Sequence, residues 1–224
     1  LIKKPIISAA QAAAKVKPGD VVHLGGFLGC GCPDGIVKAL VAAGTSGLTL
    51  VANDTGIYNE EKGRSSGPAP LIKAKAFKTI IVSHIGTNPE TQRQMNHGES
   101  EVVLVPQGTL AERVRAAGNG LGGVLTPTGV GTEVEEGKQK IVLKGKTYLL
   151  EEGLPGNIAL IKAKKADRAG NLVYAKTARN FNPLMATACE TVIVEAEEIV
   201  EIGDIDPDDV HTASIFVDFI VQAE

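Results

Sequence analysis

The densest concentration of groups able to meet a ligand is the run Gly25, Gly26, Phe27, Leu28, Gly29, Cys30 and Gly31, placed between an apolar stretch and Pro33-Asp34. Glycines allow backbone N–H groups to approach a bound molecule closely. A helix opening at Pro33-Asp34 would add an electropositive terminus, so the run has the form needed to cradle a phosphate or a pantetheine arm. The same run would serve equally as a tight turn that lets a helix pack on a strand. It has no Gly-Lys-Ser/Thr, and its glycine spacing fails the dinucleotide pattern. Gly118, Gly120 and Gly123 do fit G-x-G-x-x-G, but they follow a helical stretch and lead into Thr126-Pro127-Thr128, the wrong context for a nucleotide fingerprint.

Two further sets of side chains have chemical potential. Cys30 and Cys32 suggest metal or nucleophilic chemistry, yet the histidines at 23, 84, 97 and 211 form no ligand pair with usual spacing, so no metal is expected. Cys30 as a nucleophile would need a base, for which His84 is the partner the layout offers. Asn53 and Gln107 each lie just past an apolar stretch, where a carboxamide can donate to a developing oxyanion or simply cap a loop.

The elements that must position these groups alternate in type. Ser8 can cap a helix over 9–16, and strands are expected at 21–24, 48–52, 79–83 and 102–105. Helices follow at 35–43, after Pro89-Glu90, and at 109–117, the last with Thr109 as cap and Glu112 as its box partner. Residues 60–70 read as a mobile excursion and 118–132 as a long loop or lid. A hairpin joins 140–143 to 147–150, strands follow at 158–163, 172–174, 191–195 and 215–217, and a short helix covers 183–188. This order predicts one open three-layer α/β/α domain over residues 1–224, with a mostly parallel sheet and a loop and hairpin insertion near 118–150. Its carboxyl edge then collects Gly25-Gly26-Phe27, Asn53-Asp54, Gly86-Thr87-Asn88 and Gln107-Gly108, which is where open α/β sheets bind ligands. No Lys or Arg is expected in that edge.

Composition narrows the function classes. The 224 residues are 43% hydrophobic, enough for a sizeable core, and 23 Lys+Arg against 26 Asp+Glu leave a formal charge of −3. That balance argues against nucleic acid as a partner. No apolar run reaches the roughly 18 residues of a membrane helix, and the start at Leu1 meets Ser8 and Gln11 too soon for a signal peptide. Three cysteines make no disulfide scaffold. The expectation is a cytoplasmic protein.

Six ordered motifs carry a resemblance. Gly25-Gly26-Phe27-Leu28 with Pro33, Ala52-Asn53-Asp54-Thr55, the run from Ser83 to Thr91, Val105-Pro106-Gln107-Gly108-Thr109-Leu110, Leu125-Thr126-Pro127-Thr128-Gly129 and Ala178-Arg179-Asn180-Phe181-Asn182-Pro183 resemble the alpha subunits of acetate/butyrate–acetoacetate CoA-transferases. The related 3-oxoadipate and succinyl-CoA:3-oxoacid enzymes share some of these motifs. The resemblance implies CoA transfer between a short-chain acyl-CoA and a carboxylic acid, by a ping-pong route through a glutamyl-CoA thioester on a beta subunit. It implies the 25–31 loop as a CoA contact, Asn53 and Gln107 as candidate oxyanion donors, and no resident cofactor, CoA thioester being the substrate. No Glu of this chain is expected at the glycine-rich edge. Three other readings stay open: a stand-alone CoA-binding module, a thioester hydrolase built on Cys30 and His84, and a sugar-phosphate isomerase, which would need phosphate-binding cations there.

Overall fold

The computed structural model describes residues 2–224. Its first half contains β1 (Ile6–Ile7), α1 (Ala9–Ala13), β2 (Val21–Leu24), α2 (Asp34–Ala43), β3 (Leu48–Val51), β4 (Ile57–Asn59), β5 (Arg64–Ser66), α3 (Ala69–Lys73), β6 (Phe77–Val82) and α4 (Pro89–Asn96). The second half contains β7 (Glu101–Leu104), α5 (Gln107–Gly118), β8 (Gly123–Thr126), β9 (Lys140–Leu143), β10 (Lys146–Glu152), β11 (Gly156–Asp167), β12 (Leu172–Val173), α6 (Asn182–Thr187), β13 (Cys189–Val200) and β14 (Phe219–Gln222).

The main sheet runs β1-β14-β13-β11-β2-β3-β6-β7, and β12 adds to β11. Every pairing along that path is parallel, and only β12 is antiparallel. Parallel sheets need cover on both faces, and the core divides accordingly. On one side Ile36, Val37 and Leu40 of α2, with Ala12, Ala13, Leu71 and Ile72, pack on Val22, Leu24, Leu50 and Ile80. On the other, Leu110 and Val114 of α5 and Met185 and Ala186 of α6 pack on Val51, Ala159, Ile161 and Val194. The expected three-layer α/β/α architecture with a mostly parallel sheet is the one observed.

The element boundaries differ from expectation in four places. The excursion after residue 59 is ordered: β5 pairs antiparallel with β4, and α3 follows at once. The hairpin of β9 and β10 gains a third strand, because β8 pairs with β10 inside what reads from the sequence as loop. Residues 215–217 are no strand, since Ser214–Phe216 is a 3-10 turn with Ile215 80% exposed. The strand comes later as β14, whose Ile220 and Val221 are buried. Helix α5 starts two residues before Thr109, with Pro106 at its cap. Pro at that point supplies a fixed φ without a side-chain cap, so Thr109 lies inside the helix and no capping box with Glu112 forms.

Candidate functional site

The 25–31 loop leaves β2 at the carboxyl edge and is built on left-handed backbone. Gly26, Leu28, Gly29 and Gly31 have φ of 118°, 48°, 89° and 78°. Leu28 adopts this conformation at a steric cost that its surroundings must offset. Phe27 and Cys30 close the loop on itself through reciprocal backbone bonds of 3.0 and 2.9 Å.

Polar side chains, buried at Asp54 and Asn182 and half-buried at Asn180 and Ser66, then hold the loop. Asp54, at the end of β3, accepts the Leu28 amide at 2.9 Å and the Asn53 carboxamide at 2.9 Å on Oδ2, and the Gly56 amide at 2.7 Å on Oδ1. Asn182, at the start of α6, donates to the carbonyls of Gly31 at 3.0 Å and Ala178 at 2.7 Å, while its Oδ1 accepts from the Lys162 amide. Asn180 donates to the Cys30 carbonyl at 2.9 Å, and Ser66 of β5 donates to the Leu28 carbonyl at 3.4 Å. A Cβ at Gly25 would collide with the Asn182 carboxamide, and one at Gly29 would lie 2.7 Å from the Ser66 Cβ, so these glycines are required by close approach.

A second ring supports the first. Ser83 donates to the Asn53 carbonyl at 2.7 Å, Thr87 to the Gly56 carbonyl at 2.7 Å, and Asn88 to the Thr55 carbonyl at 2.7 Å. The Asn88 side chain also caps α4 by accepting from Glu90 and Thr91. The motif from Ser83 to Thr91 therefore fixes the turn at 53–56, which in turn fixes the loop.

What this scaffold leaves open is backbone. Among the described residues, the amides of Gly26, Gly29 and Gly31 have no acceptor, whereas those of Gly25, Phe27, Leu28 and Cys30 are all engaged. Phe27 stands 45% exposed beside them. The result is a rigid cradle with donors to spare.

The predicted site residues fare differently. Asn53 is buried against the loop, with Nδ2 oriented by Asp54 and Oδ1 lacking any partner. A buried acceptor without a donor calls for a ligand or a functional reason. Gln107 is exposed in the first turn of α5, which leaves β7, two strands away from β3, and no hydrogen bond among the described residues links it to Asn53 or the loop. Cys30 Sγ lies 3.4 Å from Thr177 Oγ1 and forms no hydrogen bond with His84, so the nucleophile pair needed for a thioester hydrolase is not assembled. Burial, and after it the negative charges of Asp34, Glu195 and Asp54, hold the Cys32 thiol well above its ordinary pKa, which leaves it protonated. No cluster of His, Cys, Asp and Glu among the described residues could hold a metal ion.

Two expectations about charge are overturned. The edge does carry cations: Lys176 and Arg179 lie on the 3-10 turn just before Asn180 and Asn182, which bond Cys30 and Gly31, a tertiary approach that strand order alone does not reveal. The start of α2 is not free for anions. Glu195, which the sequence places at a strand end, lies in the middle of β13, and its carboxylate accepts the Ile36 amide at 2.8 Å. Burial raises the pKa of Glu195, opposed by the amides of Ile36 and Gly35. Pattern reading misses Glu195 at the loop, and it gives Asp54, Asn180 and Asn182 no role in holding it. The signal for Asp54 and the asparagines was their place in the quoted motifs.

Comparison with known proteins decides the family. A family model described as coenzyme A transferase matches residues 6–223. The chain belongs to the coenzyme A transferase family. Among its relatives, the alpha subunit of the acetate CoA-transferase of Escherichia coli (strain K12) is 47% identical, covering 100% of this chain and 99% of that protein. One subunit of the probable succinyl-CoA:3-ketoacid coenzyme A transferase of Bacillus subtilis (strain 168) is 45% identical over 97% of this chain and 89% of its own length. The fold matches an acyl-CoA transferase (YdiF) of E. coli O157:H7, solved as a thioester complex with CoA, at a TM-score of 0.87 and 19% identity. This CoA-transferase chain is covered over 99% of its length in that match, but spans only 47% of the YdiF chain.

Proposed function

We propose that this chain is the alpha subunit of a CoA-transferase that moves CoA between a short-chain acyl-CoA and a carboxylic acid, its active site completed by a beta subunit. The observation that carries this reading is the cradle itself: a strained loop locked by buried Asp54 and Asn182 and half-buried Asn180, with the amides of Gly26, Gly29 and Gly31 unengaged. Such fixed backbone donors suit the neutral, amide-rich end of a CoA thioester.

The chemistry requires a carboxylate nucleophile. In the CoA-transferase route a glutamate attacks the thioester carbonyl, expels the CoA thiolate and becomes an acyl anhydride. The thiolate then attacks the glutamyl carbonyl, releasing the first acid and leaving glutamyl-CoA, from which the second acid takes CoA by the reverse sequence. The buried glutamate beside the loop, Glu195, is engaged in capping α2, so it is unsuited to that role. We assign the nucleophile to the beta subunit. Alpha-type names among the relatives, and the half-length match to the longer YdiF chain, support a second unit of the assembly.

Asn53 and Gln107 are the candidate oxyanion donors. Asn53 has its carboxamide preset by Asp54, and a ligand group entering beside the loop would satisfy its unpaired Oδ1. Gln107, exposed and two strands distant, would join only if the acyl end of the substrate or the partner spans the edge. The reaction as written uses no resident cofactor. Three free thiols suit a reducing compartment, which supports placing the protein in the cytoplasm.

The test is a steady-state assay with acetoacetyl-CoA and acetate, repeated with succinate as acceptor to read the acid preference. Turnover is expected when this chain is mixed with its beta subunit, but not when it is assayed alone. Full turnover by the homogeneous chain would overturn the proposal.

A further inference from the structure

Helix α2 begins immediately after the 25–31 loop, and its first turn is the obvious place for a CoA phosphate to land. The structure closes that place from within. Pro33 caps the helix with no side-chain bond, and Asp34 puts a carboxylate in the first turn. Glu195 reaches across from β13, two strands from β2, and binds the Ile36 amide at 2.8 Å. The fit is close enough that a Cβ at Gly35 would lie 2.9 Å from Glu195 Oε2. Glu195 itself is 3% exposed, and the cavity of about 510 Å³ alongside it is lined by Asp34, Lys38, Lys162 and Glu197. Lys162 lies 3.3 Å from Glu197, so that lysine is already engaged.

A carboxylate at a helix N-terminus is favourable for the helix and removes its attraction for other anions. Cys32, the residue that joins the loop to Pro33, is 1% exposed, and its amide donates to the Gly29 carbonyl at 3.2 Å, which ties the helix start to the loop. We propose that Glu195 is a positioning residue for CoA transfer: by capping α2 from β13 it anchors the exit of the 25–31 loop and reserves the free amides of that loop for the uncharged pantetheine arm, directing the phosphates elsewhere. This rests on the CoA-transferase reading given above.

The experiment has an arm that needs no activity and an arm that does. Hydrogen exchange on the full chain follows the Ile36 amide. Its exchange is expected to rise on the order of tenfold in Glu195→Ala and to stay near the wild type in Glu195→Gln, which keeps an acceptor oxygen. Gly35→Ala, which pushes on the same carboxylate, is expected to behave like Glu195→Ala, and serves where that variant does not fold. In the assembled enzyme, KM is then measured for an acyl-CoA and for the matching acyl-pantetheine, which lacks the nucleotide phosphates. Glu195→Ala is expected to raise both KM values by the same factor, about tenfold, with Glu195→Gln restoring both. Unchanged exchange at Ile36 in both Glu195→Ala and Gly35→Ala would overturn the anchoring role. A KM increase confined to the CoA ester would overturn the pantetheine assignment and return the helix start to the phosphates. Absence of transfer in the wild-type assembly would instead overturn the CoA-transferase reading, with the exchange result still deciding the anchor.

Discussion

Two glycine-rich segments of this chain look alike in sequence and differ in what holds them. The 25–31 loop is tied by Asp54, Ser66 and the pair Asn180 and Asn182, which come from three separate places in the chain. The segment from Gly118 to Thr132 is held by backbone pairing of β8 with β10, and the turn after β8 is tied to itself. Thr132 Oγ1 donates to the Gly129 carbonyl at 2.8 Å and accepts from Val134, and Thr126 accepts from Thr128. Where its glycines are close to anything, they serve packing, as at Gly129 against Val134. The first segment keeps unengaged amides on a frame held by distant side chains. Glycine content therefore marks possible ligand contact, and long-range polar anchoring turns that possibility into a site.

The strongest way to break this comparison is to remove the central anchor. Asp54→Ala leaves three donors without their acceptor in a buried setting and is expected to cost about 4 kcal/mol in urea unfolding. A loss below about 1 kcal/mol would mean that the loop is not held from outside.

Acid supplies the next largest effect, because the strand that feeds the loop contains His23. This side chain is fully buried, and burial, opposed by the Pro155 carbonyl, lowers its pKa from 6.5 to about 4. The unfolded chain takes up the proton first, so this contribution to stability is complete above pH 6.5 and is lost as pH falls toward 4. The difference corresponds to about 3 kcal/mol. The second segment packs near Glu151, whose buried carboxylate is paired with Lys138 at 2.6 Å. Unfolding curves between pH 7 and 4 are expected to show the loss in the wild type and a much smaller one in His23→Leu. Equal acid sensitivity in both would remove His23 as its source.

Smaller effects sharpen the contrast. Asn182→Ala removes bonds to the Gly31 and Ala178 carbonyls and to the Lys162 amide, with an expected loss of about 2 kcal/mol. Thr132→Ala, the matching change in the second segment, is expected to cost about 0.5–1 kcal/mol. Thermal melts of the two variants side by side would expose a wrong ranking at once.

How much of this could be read in the sequence follows from the range of the interactions. The parallel sheet and its order of strands and helices were legible, because apolar runs such as Val21–Leu24 and Leu48–Val51 are local signals. So were the loop and the strand-end residues Asn53 and Asp54. The short pairs β4 with β5 and β8 with β10 were not, since Arg64–Ser66 and Gly123–Thr126 carry too few β-branched or alternating residues to stand out. The role of Glu195 was hidden for a different reason. A glutamate among Glu197 and Glu198 reads as surface charge until parallel pairing sets it opposite Lys162 and under α2. Lys176 and Arg179 reach the loop only through the turn gripped by Asn180 and Asn182, a contact about 150 residues apart in sequence.

The central claim is that this chain cradles CoA while its partner carries the covalent intermediate. The most direct measurement is intact-mass spectrometry of the two chains after brief exposure of the assembled enzyme to acetoacetyl-CoA without acceptor acid. The account predicts a mass increase of one CoA, less water, on the partner, and an unmodified mass for this chain. A CoA adduct on this chain, on Glu195 or any other carboxylate, would contradict it.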